Sequence, residues 1–321
     1  MEILDTTLCG EHAGVRNSFL EGIVRKNRVF FLTLSVAMGA VFAQDSPPTG
    51  VVRGGAIELI RSSSKFSAGP LGTINTTTDT LAGGFSMIDY SKLLGTDPPA
   101  VTTIGSCSVV LIKPPQGTPD PTAITILDAG PVLNLTGPNG SKQIAATEFA
   151  FGAMLGGGTS IPGLPPPPPL YLDPGPYTVD NGGGGADIGP FKATLTIPTQ
   201  FVWTNSDASA SIDRSAGLDV AWTGGDPDSK VTIAGGVVLI NADTRQVASG
   251  AVFTCTETNS AGHFFVPPEV LTLLPASTIV NNTPNGSLTV NNGVTVKFDA
   301  PSVDQSTFTF TSGALRIPEY K

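Results

Sequence analysis

Several short stretches of the chain alternate between hydrophobic and polar residues. In KATLTI, residues 192–197, every second side chain is apolar. The segments 218–222 (LDVAW), 230–233 (KVTI) and 306–311 (STFTFT) follow the same rule. A period of two places alternate side chains on opposite faces of a β-strand, so each segment is predicted to be a strand that buries one face.

Turn residues lie between these alternating stretches. Asn292-Gly293 separates two alternating runs and is predicted to form a hairpin turn, because both residues tolerate positive φ. Pro138 and Gly140 predict another turn, in LNLTGPNGSKQI. A helix of one or two turns is predicted only within residues 267–275, PPEVLTLLP. Hairpins in series favour antiparallel sheets, so the fold class is predicted to be all-β, with two antiparallel β-sandwich (Ig-like) domains.

The N-terminal segment has the residue order of a secretory signal peptide. Arg25, Lys26 and Arg28 precede an apolar run of 13 residues, 29–41, and small residues follow up to Ala43. The run is shorter than the roughly 20 residues that span a bilayer, so a signal peptide is preferred to a membrane anchor. Cleavage after Ala43 would make the protein secreted, periplasmic or bound to the cell surface.

The chain is predicted to have three parts. Residues 1–43 are an upstream extension plus the signal peptide, and translation is expected to start near Val24 because signal peptides normally begin close to their basic cluster. Residues 44–199 form the first β-sandwich domain and residues 200–321 the second, Ig-like one. The segment TIPTQFVWTN joins them.

Composition narrows the classes of partner. Charged residues make up 13% of the chain and the net charge is −9. Nucleic acids and anionic membranes bind clustered Lys and Arg, so neither is expected as a partner. No second apolar span follows the signal peptide, so no membrane span is expected in the mature chain. A protein or a polysaccharide at the cell surface is the expected kind of partner.

Two cysteines, Cys107 and Cys255, remain after cleavage, together with one histidine, His263. Two cysteines in an exported chain favour a disulfide. Two separate buried thiols are the alternative, because sequence alone does not place the Cα atoms within bonding distance.

Four consecutive glycines lie in YTVDNGGGGADIGPF, residues 177–191, between Asp180 and Asp187. A G-x-G-x-x-G fingerprint fails because its last position falls on Asp187 or Ile188, and a strand rather than a helix follows. A calcium-binding nonapeptide would need repeats. A wide turn is therefore predicted, with a weak metal or ligand loop as the alternative, and no cofactor is expected.

Residues suited to catalysis are few, and no catalytic or metal-binding residue is predicted. A Ser-His-Asp triad would depend on His263 alone, and no G-x-S-x-G is present. Residues 62–65, SSSK, match the motif S-x-x-K, but its companion motif K-T-G is absent from the sequence. Carboxylate chemistry would require the tertiary structure to bring two acidic side chains together. The candidates are Asp89, Asp128, Asp180 and Asp187.

The two tryptophans are candidates for stacking on sugar rings. Trp203 shares its strand face with Phe201, and Trp222 shares its own with Leu218 and Val220. Both patterns predict core positions over an exposed binding face.

The five prolines of the polyproline segment, residues 164–170 (LPPPPPL), have no backbone N–H groups to donate within a sheet. It is predicted to form a loop outside the sheets. A ligand for an SH3-type domain is its functional interpretation.

LDPGPYTV, residues 172–179, resembles the L-x-P-G-x-Y-x-V strand of secreted prealbumin-like and collagen-adhesin B-type repeats, whose inward Tyr corresponds to Tyr177. The segments 176–198, 217–235 and 253–275 are similar to exported proteins of acidobacteria and related soil bacteria. This resemblance implies an exported β-rich protein and supplies no catalytic residues.

The leading hypothesis is a non-catalytic exported module with a structural or interaction role at the cell surface or outside the cell. A carbohydrate-binding module is the alternative, and it requires an exposed tryptophan. A carboxylate-based hydrolase is the second alternative, and it requires two acidic side chains about 5–10 Å apart in a cleft.

Overall fold

The computed structural model describes residues 50–67, 73–93, 100–113, 120–147, 150–161, 165–241, 247–280 and 283–321. The predicted signal peptide and its cleavage site lie outside these residues.

Nearly all of the described regular structure is β-strand, which confirms the all-β prediction. The strands are β1 (Val51–Ser67), β2 (Thr73–Asp89), β3 (Val101–Ile104), β4 (Cys107–Ile112), β5 (Ile124–Ile126), β6 (Val132–Gly137), β7 (Gly140–Ala145), β8 (Phe151–Ser160), β9 (Gly175–Asp180), β10 (Lys192–Ile197), β11 (Val202–Trp203), β12 (Ser211–Ile212), β13 (Leu218–Thr223), β14 (Lys230–Ile240), β15 (Val247–Thr258), β16 (His263–Val266), β17 (Ile279–Val280), β18 (Thr283–Pro284), β19 (Gly286–Lys297), β20 (Gln305–Arg316) and β21 (Glu319–Tyr320). The helices are α1 (Tyr90–Leu93) and α2 (Pro268–Leu271), with 3₁₀ turns at Ser206–Ala210 and Asn259–Ala261.

The strands pair into one large sheet and several small ones. The large sheet has ten strands in the order β3-β4-β15-β14-β19-β20-β1-β2-β5, and β8 also pairs with β2. A four-stranded sheet has the order β10-β9-β6-β7, and a three-stranded sheet has the order β11-β13-β16. Two short ladders, β12-β21 and β17-β18, are also present among the described residues.

The four alternating segments form strands with the predicted buried faces. In β10 the residues Ala193, Leu195 and Ile197 are buried and the residues between them are exposed. Trp222 on β13 and Phe308 on β20 are likewise buried with the alternate residues of their strands. Burial of apolar side chains on one face is the main contribution to the stability of such strands.

Two hydrophobic cores lie on the same face of the ten-stranded sheet. One core joins β1, β2 and β20 to the four-stranded sheet, and the other joins β4, β14, β15 and β19 to the three-stranded sheet. On β20 the residues Phe308 and Phe310 belong to the first core and Ala314 to the second. These residues are an even number of positions apart, so their side chains lie on one face of the strand. The molecule therefore has two layers, with two small sheets covering one face of the large sheet.

The large sheet takes strands from both sides of the predicted boundary between residues 199 and 200. The four-stranded sheet lies before this boundary and the three-stranded sheet lies after it. All described residues belong to one compact unit. The division into two Ig-like domains stays a prediction.

The predicted hairpin at Asn292-Gly293 is wrong. Strand β19 runs through both residues without a break, and Gly293 lies opposite Thr311 of β20. The side chain of Asn292 is buried: its amide donates to Ser229 Oγ (2.6 Å) and Lys230 O (3.2 Å), and its Oδ1 accepts from Asp226 N (3.2 Å). Tertiary hydrogen bonds thus satisfy the asparagine inside a strand, and the local turn signal is overridden.

The prediction of purely antiparallel sheets also needs correction. Strand β1 pairs with β20 in parallel, and β12 pairs with β21 in parallel. The other ladders are antiparallel within the described residues. The alternation of side chains fixes which face of β1 is buried, but it does not distinguish the two pairing directions.

Three local predictions are confirmed. Residues Pro138 and Asn139 form the turn between β6 and β7, with Gly140 at φ +94°. Helix α2 begins at Pro268, directly after Pro267. The described prolines 165–169 lie outside the strands.

Among the described residues, no helix has the length and apolar character to cross a membrane.

Candidate functional site

The glycine-rich segment forms the predicted turn after β9. Gly182 and Gly184 have φ values of +62° and +86°, which glycine adopts without the strain of a side chain. Gly185 N donates to Ile188 O (2.9 Å), and the chain then continues to β10. The interpretation as a turn is confirmed.

This turn packs against the loop after β5 through backbone atoms. Asp187 N and Ile188 N both donate to Asp128 O at 3.0 Å. A Cβ at Gly185 would lie 2.5 Å from Asp128 O and 2.6 Å from Asp128 Oδ1, and a Cβ at Gly130 would lie 2.7 Å from Gly184 O. Glycine is therefore required where the two loops meet.

The packing of the loops brings together two of the four candidate aspartates, Asp128 and Asp187. Asp187 Oδ2 accepts from Asp128 N (2.8 Å). Asp128 Oδ1 accepts from Gly130 N (2.8 Å), and Asp128 Oδ2 accepts from Ala186 N (3.3 Å). Three of the four carboxylate oxygens thus accept backbone N–H groups, which is how aspartates stabilise turns.

A cavity of about 280 Å³ opens beside these aspartates. Phe85, Leu127 and Phe151 supply apolar walls, and Asp128, Asp187 and Thr147 supply polar ones. Both carboxylates are exposed. The cavity therefore has both apolar side chains and carboxylate groups in its walls.

The other two candidate aspartates, Asp89 and Asp180, do not line this cavity. Asp180 Oδ1 accepts from Asn134 Nδ2 (2.8 Å) and from Gly182 N (3.0 Å). Asp89, at the end of β2, accepts from Ser91 Oγ (2.5 Å), and this hydrogen bond is the main reason why the pKa of Asp89 is lowered. Both aspartates stabilise local turns.

Sequence reasoning missed the residue that organises the glycine turn, Asn181. Its side-chain amide is buried and donates to Ala129 O (3.0 Å) and Gly189 O (3.1 Å), while its Oδ1 accepts from Phe191 N (2.8 Å). It joins both ends of the turn to the loop after β5. The position of Asn181 just before four glycines is the only feature of the sequence that could have indicated this role.

The remaining catalytic candidates are dispersed. His263 is exposed, and its Nδ1 lies 3.3 Å from Ala261 O. Ser62 and Lys65 are three residues apart on β1, so their side chains project to opposite faces. Lys65 Nζ instead pairs with Asp207 (2.8 Å). In the part of the chain that the structure describes, no three His, Cys, Asp or Glu side chains are grouped so as to hold a metal ion.

Both tryptophans are core residues. The exposed fraction is 5% for Trp203 and 3% for Trp222. Trp203 Nε1 donates to Asn205 Oδ1 and Trp222 Nε1 donates to Asn259 O, each at 2.9 Å. Neither tryptophan therefore offers the exposed ring face that stacking on a sugar requires.

Cys107 and Cys255 form a disulfide, which confirms the predicted pairing over two free thiols. The two residues lie directly opposite each other on β4 and β15, with a Cα–Cα distance of 3.9 Å. Both are buried in the second core. The bond joins positions 148 residues apart in the sequence.

Comparisons with known proteins give no family. No family model matches the chain. No curated protein matches it either. Among solved structures, the Fcho1 mu-homology domain of Danio rerio with a bound Eps15 peptide aligns at 8% identity and a TM-score of 0.16, over 85% of this chain and 98% of that one. The yeast delta-COP-I mu-homology domain complexed with a Dsl1 WxWxV peptide aligns at 9% identity and a TM-score of 0.17, over 85% of this chain and 100% of that one. These TM-scores are too low to indicate a shared fold.

Proposed function

We propose that this protein is a non-catalytic exported module with a structural or interaction role at the cell surface or outside the cell. The observation that carries the proposal is the Cys107–Cys255 disulfide, which is buried between adjacent strands of the large sheet. Structural disulfides persist in oxidising compartments and are rare in the cytosol. The disulfide therefore supports export, as does the predicted signal peptide.

The face of the large sheet opposite the two cores also supports an interaction or structural role. Its side chains are mostly small and uncharged, such as Thr232, Thr254 and Thr289. Neighbouring hydroxyl groups bond across strands, as between Thr295 Oγ1 and Thr309 Oγ1 (3.0 Å). A broad face of this kind suits extended contact with another molecule better than it suits chemistry on a substrate.

Export and oxidation can be tested together in a bacterial host that expresses the full chain. The exported product is expected to begin at Gln44 by N-terminal sequencing and to react with a maleimide reagent only after reduction. A L32R/L34R variant, which interrupts the apolar run, is the matched control and is expected to stay in the cytoplasm. A wild-type product that stays in the cytoplasm with Cys107 and Cys255 both reactive before reduction would refute the proposal.

A carboxylate-based hydrolase is the second candidate, because Asp128 and Asp187 line one cavity. If it is correct, purified wild-type protein hydrolyses members of a panel of chromogenic glycosides and esters, and Asp187→Asn abolishes that activity. Asp180→Asn is the matched control, since Asp180 lies outside the cavity. An inactive wild-type protein, or equal activity of all three proteins, would exclude the hydrolase.

A further inference from the structure

The described part of the polyproline segment, Pro165–Leu170, shows a period of three in its exposure. Pro165, Pro166, Pro168 and Pro169 are exposed, whereas Pro167 and Leu170 are partly buried. A polyproline II helix has three residues per turn, so every third residue falls on the same ridge. The segment therefore rests on the protein along one ridge and presents two ridges to solvent.

Three consecutive glycines on β8 form the surface that receives the buried ridge. Gly157 N donates to Pro168 O (3.1 Å) and Pro169 O (3.3 Å). A Cβ at Gly157 would lie 2.8 Å from Leu170 Cδ2, and a Cβ at Gly158 would lie 3.0 Å from Pro167 Cβ. A Cβ at Gly156 would clash with Pro169 O. The glycines thus let the proline backbone approach the strand closely.

A buried ion pair fixes the end of the segment. Tyr171 N and Leu172 N donate to Asp79 Oδ2 at 2.7 and 2.8 Å. Asp79 is fully buried and accepts two further hydrogen bonds, from Arg61 Nε (2.8 Å) and Arg61 Nη2 (2.7 Å). The side chain of Tyr171 is held as well, because its hydroxyl donates to Gly140 O (2.7 Å). The segment is thus anchored before any partner binds, which reduces the entropy that binding would remove.

The two exposed ridges define the chemistry of a partner. The run from Pro165 to Leu170 contains no charged residue, so recognition must use proline rings and backbone carbonyls. Within the described residues, no donor bonds to the carbonyls of Pro165, Pro166 or Pro167. Aromatic grooves that bind polyproline II helices supply flat rings for prolines, and Trp N–H or Tyr O–H groups for carbonyls.

We infer that residues 165–170 are a preformed polyproline II docking site for a partner protein with an aromatic-lined groove. This inference rests on the proposed interaction role and names the class of partner. Glycines 156–158 on β8 and the hydrogen bonds to Asp79 hold the segment against the surface of the protein. The two exposed ridges remain free to enter the groove of the partner.

Calorimetric titration of the full chain with a purified SH3 domain, a WW domain and an EVH1 domain tests the inference. At least one of these probes is expected to bind the wild-type chain. The P165A/P168A variant, which removes one exposed ridge, is expected to bind that probe about tenfold more weakly, because the proline rings of that ridge no longer pack in the aromatic groove. Pro121→Ala, in an exposed turn elsewhere, is the matched control and is expected to bind like wild type.

The thermal unfolding of each variant shows whether it is folded, and P165A/P168A is expected to unfold cooperatively with a slightly lower midpoint than wild type, because both prolines are exposed and alanine only gives the unfolded chain more freedom. Binding of none of the three probes would overturn the inference, as would equal affinity of P165A/P168A and wild type. Neither result bears on export or disulfide formation, so a failure here is distinguishable from a failure of the proposed function.

Discussion

At the scale of single residues, the Arg61–Asp79 pair is the most consequential feature that the sequence did not reveal. The two residues lie opposite each other on β1 and β2, and both are buried. The hydrogen bond to Asp79 is the largest contribution to the raised pKa of the Arg61 guanidinium. Together with the amides of Tyr171 and Leu172, the pair forms a network in which each Asp79 oxygen has a donor.

Asp79→Ala is expected to lower the free energy of unfolding by about 3–5 kcal/mol, because it leaves a buried arginine without its partner. The double variant R61M/D79L is expected to lose less of the free energy of unfolding, since no unpaired charge remains buried in it. Urea unfolding measures both. Asp219→Ala, an exposed strand aspartate, is the matched control with an expected change within about 0.5 kcal/mol. A loss below about 1 kcal/mol for D79A would contradict this interpretation.

Glu58 gives a pH-dependent prediction. It lies on β1 between Ala82 and Thr309, and burial raises its pKa above the ordinary value of 4.5. Above the folded-state pKa the ionised carboxylate destabilises the folded chain relative to the unfolded one. This cost decreases as the pH falls through the folded-state pKa and is absent below 4.5.

Glu58→Gln is therefore expected to unfold at higher urea concentration than wild type at pH 7 and at the same concentration below pH 4.5. Urea midpoints measured across this range check the prediction. Glu269→Gln, at an exposed position, is the matched control and is expected to show no such convergence. A stability difference for E58Q that does not change with pH would show that charge is not its cause.

At the scale of elements, sequence patterns predicted the strands better than the turns. KATLTI and STFTFT alternate because one face of each strand meets a core, and the structure has both strands as predicted. The hairpin prediction at Asn292-Gly293 failed because the buried side chain of Asn292 forms hydrogen bonds with the segment 226–230. Those partners are more than 60 residues away in the chain, so no local pattern could identify them.

The glycine turn gives a prediction with an internal control. A Cβ at Gly185 would press on the backbone of Asp128 and Gly130, whereas a Cβ at Gly183 would meet nothing within 4 Å. Gly185→Ala is expected to lower the free energy of unfolding by about 1–3 kcal/mol, as crowding in a packed site does. Gly183→Ala is expected to change it by less than about 0.5 kcal/mol. Thermal unfolding of the two variants should separate them clearly, and equal midpoints would refute the close approach of the two loops.

At the scale of the whole molecule, long-range pairings hold the two-layer arrangement together. Strand β1, at the start of the described chain, pairs with β20 near its end, and the disulfide joins β4 to β15. Each of these contacts closes a long loop, and a covalent link of this kind stabilises mainly by restricting the unfolded chain.

The C107A/C255A variant is expected to be less stable than the oxidised wild type by about 2–5 kcal/mol. Guanidinium unfolding with and without dithiothreitol measures the effect. Reduction is expected to destabilise the wild-type protein and to leave the variant unchanged, which separates loss of the bond from other effects of the reductant. An unchanged midpoint for wild type after complete reduction would contradict a stabilising role for the disulfide.

The sequence by itself determined the all-β class, the buried faces of the strands and the turn at the four glycines. These features depend on the period of the side chains and on the conformations that Gly and Pro allow, which are local properties. The tertiary structure alone decided the parallel pairing of β1 with β20, the burial of Arg61 with Asp79, and the meeting of Asp128 with Asp187. Those contacts join distant parts of the chain, and they depend on which surfaces fit together once the strands have formed.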